Sequence, residues 1–380
     1  MKPLGTENES RSTLIAARPR LSEDGTLLDS QSFRKVISLE RKRSERSRKP
    51  FLLMLVGFAQ DLCSEKATKL ERGFLRIISL SIRETDVAGW YAHRSVLGIM
   101  FTELGDGDLS CDSLKTRVGE AVRDHLLSEH HERVNISCHV FPEDWNQEDK
   151  ETPTDPRLYP DLLERENSRK GSRAIKRLID IAGSIAALTF LSPFFLVIGI
   201  AIKVTSKGPI FYRQSRLGQC GTAFPMLKFR SMYANSNSTV HQEYVRQLIA
   251  GVADRNPSHS NGNGVFKLTK DKRITPIGAF LRRTSLDELP QFLNVLRGEM
   301  SLVGPRPPIA YELESYQLWH RRRLMGAKPG ITGLWQVAGR NRIPFDEMVR
   351  LDLAYARSCS PWLDLKILVR TPRAVIEGAH

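Results

Sequence analysis

Asp287 and Glu288 stand side by side in the stretch from Thr284 to Pro308, and they are the only acidic residues between Asp271 and Glu299. Lys272, Arg273, Arg282, Arg283, Arg297 and Arg306 surround them in sequence. Adjacent carboxylates in a basic field suit a divalent metal, a phosphate, or both. Locally, Ser285-Leu286-Asp287-Glu288 has the pattern of a capping box. The apolar residues after it, Leu289, Phe292, Leu293 and Leu296, follow helical spacing and stop at Gly298. A carboxylate at a helix N-terminus lies beside backbone donors, so local order and chemistry are compatible there.

About a hundred residues upstream, Ile181 to Ile202 carries no charge. As a helix it would extend about 33 Å, enough for a bilayer core of ~30 Å. Its flanks are basic on both sides: Arg173, Lys176 and Arg177 before it, Lys203, Lys207, Arg213 and Arg216 after it. A spanning helix would show the positive excess on one side only. Ser192-Pro193 sits at the centre, where proline removes a backbone donor and disfavours helix at the preceding residue. The expectation is a re-entrant helix-break-helix at a membrane surface, breaking at Ser192 and Pro193. A buried core helix is the alternative.

The chain has 380 residues and a formal net charge of +14. Residues 1–50 carry +5, residues 51–170 carry −7 and residues 171–380 carry +16. The C-terminal half therefore attracts nucleic acid, anionic lipid or phosphorylated small molecules. No aromatic-interleaved basic motif of single-strand binders is present, which argues against nucleic acid. Five scattered cysteines without Cys-x-x-Cys spacing indicate neither a disulfide framework nor a zinc site. The polar N-terminal fifty residues lack the apolar region of a signal peptide, so the C-terminal half is expected on the side where it is made.

Composition divides the chain into a flexible basic tail (1–50), an α+β domain (51–141), a proline- and charge-rich linker (142–172) and a membrane-associated α+β domain (173–380). In the first domain, strands are expected at Phe51 to Val56, Val87 to Tyr91 and Ser95 to Phe101, with helices near 64–82 and 113–127. A last strand should bury Val134, Ile136, Cys138 and Val140 on one face. In the second, strands are expected at Ile210 to Tyr212 and Phe224 to Phe229. Helices are expected at Thr239 to Val252, Thr275 to Leu281, Leu289 to Leu296, Ile309 to Leu324 and Pro344 to Ala356, with a polar loop at Asn256 to Gly264.

Several landmarks fall in a fixed order: Lys176-Arg177, Gly208-Pro209-Ile210-Phe211-Tyr212-Arg213-Gln214, Lys228-Phe229-Arg230-Ser231-Met232, Arg282 to Pro307, and Pro329-Gly330-Ile331-Thr332-Gly333-Leu334-Trp335-Gln336-Val337-Ala338-Gly339-Arg340. On these residues the chain from Lys176 onward resembles the bacterial sugar transferase family, monotopic polyprenyl-phosphate phosphoglycosyl transferases of exopolysaccharide assembly. The resemblance implies a bacterial inner-membrane enzyme on the cytoplasmic face. It implies that Asp287 attacks the sugar-bearing phosphate of a nucleotide diphosphate sugar, with a UDP-hexose as the family-level guess. A polyprenyl phosphate in the membrane lipid would then take the sugar phosphate. The resemblance places Mg²⁺ at Asp287 and Glu288, and phosphate contacts at Lys228, Arg282, Arg306 and Arg340. Arg283, Arg321, Arg322 and Arg323 are assigned to the surface or to lipid headgroups. Homo-oligomers and polysaccharide-assembly partners stay open.

Residues 51–141 resemble a degenerate GGDEF (diguanylate cyclase-like) domain, a ferredoxin-like α/β sandwich. Where that family carries Gly-Gly-Asp-Glu-Phe this chain has Ala92-His93-Arg94-Ser95-Val96. Cyclase activity is not expected. A regulatory or scaffold protein using this module as a receptor is the alternative reading of the whole chain.

Overall fold

A computed structural model describes residues 27–58, 85–93, 95–102, 104, 116, 134–143, 155–162, 170–233, 239–252 and 273–377. They fall into two compact units, one holding the described residues up to 143 together with 155–162, the other those from 170 onward. The expected helix at 64–82 and the loop at 256–264 lie outside the described residues, as does the helix at 113–127 apart from Thr116, which is helical.

The first unit begins with α1 (Ser30–Ser47), where the sequence suggested a flexible tail. Asp29 caps it, its side chain accepting from the backbone N–H groups of Gln31 and Ser32. The charged run had hidden a buried stripe of Phe33, Ile37, Arg41 and Ser44 at helical spacing. Arg41 is fully buried because Asp161 takes its guanidinium at 2.9 and 3.2 Å and the Tyr159 ring lies 4.5 Å beneath it. Residues 155–162, expected to be linker, are thereby fastened to this unit. Tyr159 Oη donates to Glu143 at 3.1 Å, and Asp155 pairs with His139.

Strands β1 (Phe51–Phe58), β2 (Val87–Ala92), β3 (Val96–Phe101) and β4 (Val134–Phe141) form an antiparallel sheet in the order β2-β3-β1-β4. In β4 the expected apolar face is only half-buried at Ile136, Cys138 and Val140, whereas His139 and Phe141 on the opposite face are buried. Pairing with Asp155 and stacking of Phe141 on Phe51 explain that reversal.

The second unit opens with α2 (Lys170–Thr205), a single helix that runs through Pro193. No break occurs at Ser192 and Pro193, contrary to the sequence expectation, and the reason is local. Proline leaves the carbonyl four residues back, that of Thr189, without its donor. Ser192 Oγ donates to that carbonyl at 2.9 Å, so the orphan acceptor is satisfied and the helix continues.

Both ends of α2 are gripped by this unit. Near the start, Lys176 Nζ binds Asp364 at 2.7 Å and the Val303 carbonyl at 2.9 Å. Arg177 donates to the carbonyls of Val295 and Leu296. Near the end, Ile198 and Ile202 pack with Phe229 and Leu281, and Arg230 donates to the Ser206 and Lys207 carbonyls at 2.7 and 2.9 Å. Between these grips the helix exposes Phe190, Leu196 and Val197, each more than 60% accessible. Among the described residues it is the one helix long and apolar enough to cross a membrane.

The remaining elements build around these grips. Strands β5 (Phe211–Leu217) and β6 (Ala223–Phe229) pair antiparallel. After them come α3 (Thr239–Ile249), α4 (Pro276–Thr284), a 3₁₀ turn (Leu286–Glu288), α5 (Gln291–Arg297) and β7 (Ser301–Val303). The helix expected over Ile309 to Leu324 is broken into a 3₁₀ stretch (Ala310–Ser315), α6 (Leu318–Arg321) and a 3₁₀ turn (Arg322–Leu324). Tyr316 interrupts it in an extended conformation that packs its ring against His320 and Phe345. β8 (Gly330–Thr332) pairs parallel with β7, and α7 (Leu334–Ala338), α8 (Phe345–Ser358) and α9 (Pro361–Glu377) complete the unit.

Candidate active site

Asp287 and Glu288 sit in the 3₁₀ turn between α4 and α5. Thr275 caps α4, which ends where Ser285 adopts a left-handed conformation (φ 57°), and the Ser285 side chain makes no capping bond. The capping box is therefore not formed. Pro290 cannot donate to the Leu286 carbonyl, and Leu289 N–H takes it instead at 3.3 Å, tightening the chain into the 3₁₀ turn. Leu286 and Leu289 pack against the cluster of Ile198, Ile202, Phe229 and Leu281, so the turn rests on the far end of α2. α5 then stops at Gly298 (φ 82°), as its spacing suggested.

The Asp287 side chain is buried, with 7% of the residue accessible. That burial pushes its carboxyl up to about 6; the charge of Lys228 opposes the rise, Glu288 adds to it, and Arg282 opposes it. Glu288 is half-buried and bonded to Lys228 Nζ at 3.0 Å. Desolvation pushes its carboxyl up, yet the Lys228 charge and hydrogen bond, with Arg306 and Arg340, hold it below its ordinary value. Two neighbouring carboxylates are thus driven in opposite directions, an arrangement that marks functional sites more often than structural ones.

Of the residues singled out from the sequence, Ser192 and Pro193 lie apart in α2, while the charges of Lys228 and Arg282 act on Asp287 and those of Lys228, Arg306 and Arg340 on Glu288. Lys228 comes from β6, Arg282 from the last turn of α4, Arg306 from the loop after β7, and Arg340 from the segment after α7. Arg340 has a left-handed backbone (φ 46°) and its guanidinium donates to the Ala374 carbonyl of α9 at 3.3 Å. A non-glycine residue holds such a backbone only where tertiary contacts offset its cost.

Sequence reasoning missed the charges behind the site. Arg323 is 1% accessible and paired with the equally buried Asp352, which corrects its assignment to the surface or to lipid headgroups. Arg216, placed in the basic flank of the apolar segment, is 5% accessible and faces Glu312 at 3.8 Å. Burial and the nearby Arg306 charge lower Arg216 to about 10, so it stays protonated at neutral pH. A usable signal was the alternation of β5, which points Arg216 and Gln214 to the same side.

Residues 171–378 match the family model described as bacterial sugar transferase, more than half of the chain, and the protein belongs to that family. It is 44% identical over 225 residues to the undecaprenyl-phosphate galactose phosphotransferase of Salmonella typhimurium, covering 58% of this chain and 45% of that protein. To the UDP-glucose:undecaprenyl-phosphate glucose-1-phosphate transferase of Xanthomonas campestris it is 35% identical over 298 residues, 72% of this chain and 56% of the relative. The exopolysaccharide production protein ExoY of Rhizobium meliloti is 39% identical over 204 residues, 53% of this chain and 84% of that shorter protein. The chain spans about half the length of the first two. Among solved structures, a diguanylate cyclase (DGC) protein from Thermotoga maritima aligns at a TM-score of 0.26 and 16% identity over 31% of this chain and 84% of its own, too low to bear on the first unit.

Proposed function

We propose that the protein transfers a hexose 1-phosphate from a UDP-sugar to a polyprenyl phosphate, an early step in exopolysaccharide synthesis. The observation that carries this reading is the buried Asp287 carboxylate, set beside the Lys228–Glu288 pair, with the Arg282 charge acting on Asp287 and the Arg306 and Arg340 charges on Glu288. Asp287 Oδ attacks the phosphorus that bears the sugar, the diphosphate P–O bond breaks, and UMP departs with the bonding electrons. A polyprenyl phosphate oxygen then attacks the same phosphorus and returns Asp287 as a carboxylate. Two displacements let a water-soluble donor and a lipid acceptor use one site in turn. Arg282, Arg306 and Arg340 offer forked donors for the phosphate oxygens, and Lys228 a point charge.

Asp287 and Glu288 are hard oxygen donors, and among the described residues no cluster of three or more metal-ligating side chains occurs. That donor set fits Mg²⁺, which is held by one or two carboxylates when phosphate oxygens supply further ligands. Bound there, the ion would neutralise diphosphate charge.

One-sided attachment to the inner membrane, on the face where the chain is made, accounts for α2. Its exposed middle is apolar, its flanks are basic at both ends, and the same unit grips both ends. The first unit is assigned an accessory role. Its strand order suits a GGDEF-like sandwich, and the segment 92–96 lacks the acidic residues such a cyclase requires.

The protein incubated with UDP-glucose or UDP-galactose alone is expected to release one equivalent of UMP and to gain the mass of a sugar phosphate. Added undecaprenyl phosphate then restores turnover. UMP release that requires both substrates together would overturn the two-step scheme. Because Asp287 attacks as the anion and burial places its carboxyl near 6, kcat/KM should fall tenfold per unit as pH drops below about 6. A flat profile between pH 7 and 5 would contradict the assignment.

A further inference from the structure

The loop Gly304-Pro305-Arg306-Pro307-Pro308 carries three prolines, so it has few N–H groups with which to hold itself. Its carbonyls are bound from outside instead. Pro305 O accepts from Gly330 N–H at 2.9 Å, and Pro308 O from Leu217 N–H at 2.9 Å. The two carbonyls between them are taken by buried guanidinium groups: Arg306 O by Arg323 Nη2 at 3.1 Å, and Pro307 O by Arg216 Nη1 at 2.9 Å. Each of these arginines is seated by a buried acid, Arg323 by Asp352 and Arg216 by Glu312. Arg323 also reaches Tyr316 Oη at 3.4 Å.

Burying charge is costly, and an ion pair in a core is often no more stabilising than apolar residues of the same volume. Two such pairs aimed at consecutive carbonyls of one loop serve placement better than stability. What the loop carries is the Arg306 side chain, half-buried and close enough to lower the Glu288 carboxyl. We propose that Arg323, seated by Asp352, and Arg216, seated by Glu312, are positioning residues that fix the Arg306 guanidinium where it meets substrate phosphate beside Glu288. The inference rests on Arg306 being a phosphate ligand, as proposed above. Arg216 and Arg323 act through the loop backbone and touch no substrate.

A double-mutant cycle on the full-length protein tests it, with hydrogen exchange as a second readout. Arg323→Lys keeps the charge opposite Asp352 but loses the planar guanidinium whose Nη1 arm on Tyr316 aims Nη2 at both Asp352 and the Arg306 carbonyl. It should raise the KM for the UDP-sugar, lower kcat/KM by about tenfold to a hundredfold, and speed exchange of the loop amides of Gly304, bonded to Thr332, and Gly330, bonded to Pro305. In an Arg306→Ala background the same change should have no further kinetic effect, because its only route to the substrate is gone. Additive kinetic losses, or loop amides whose protection is unchanged in Arg323→Lys, would overturn the positioning role. Should Arg306→Ala alone leave kcat/KM intact, the phosphate-ligand assignment fails, while the exchange measurement still decides whether Arg323 holds the loop.

Discussion

Asp287→Asn is expected to stop UMP release from the UDP-sugar, with kcat at least ~10³-fold below wild type, and to leave no trapped sugar phosphate on the protein. The amide is isosteric, so the 3₁₀ turn and its packing on Ile202 and Phe229 should persist. Thermal stability should hold or rise slightly. At neutral pH the wild-type site keeps an ionised carboxyl in surroundings that push it up to about 6, and the neutral amide removes that desolvation cost. A large loss of activity with unchanged melting would separate chemistry from folding. Wild-type UMP release by the variant would exclude Asp287 as the attacking group.

The second large effect concerns the cation bonded to Glu288. In Lys228→Met, Glu288 loses its 3.0 Å partner and Asp287 loses the strongest charge opposing its rise. The Asp287 carboxyl should then sit higher than about 6, and the sign of the consequence follows. The reactive anion is lost as pH falls through that higher value, so the acid limb of kcat/KM moves upward in pH. At pH 7 the loss should be on the order of a hundredfold, from the missing phosphate contact together with partial protonation. Rate–pH profiles of the two proteins on one donor would show it. Identical acid limbs would mean that Lys228 does not act on Asp287.

The acidic pair was legible because it is local, whereas Lys228 and Arg340, from distant segments, were picked out by the family landmarks that contain them. Asp287 and Glu288 adjoin each other, Arg282 lies on the preceding helix turn, and Arg306 is set among prolines that admit few conformations. β1, β3 and β6 were legible as short apolar runs, whereas β5 extends past the expected Ile210 to Tyr212 and the three-residue strands β7 and β8 left no pattern long enough to read. What escaped depends on contacts distant in sequence. Arg323 lies in a run of three arginines, and only the 3₁₀ turn at Arg322–Leu324 swings it toward Asp352. Arg41 sat in a charged run whose buried stripe needs Asp161, 120 residues on, to be tolerated. At Ser192-Pro193 the proline was visible, but whether the hydroxyl would compensate for it depends on a rotamer rather than on composition.

The grips on α2 differ greatly in how soon their partners are synthesised. Arg230, which binds the carbonyls at the distal end, follows Ser206 by 24 residues, whereas Asp364, which holds Lys176, comes 188 residues later. On a growing chain the distal clasp can therefore close early, and the proximal ammonium waits for almost the whole second unit to emerge. Arg177 finds the Val295 and Leu296 carbonyls 118 and 119 residues on, so a nascent polypeptide stalled before Asp364 would already be moored at both ends, with the Lys176 ammonium still lacking its counterion.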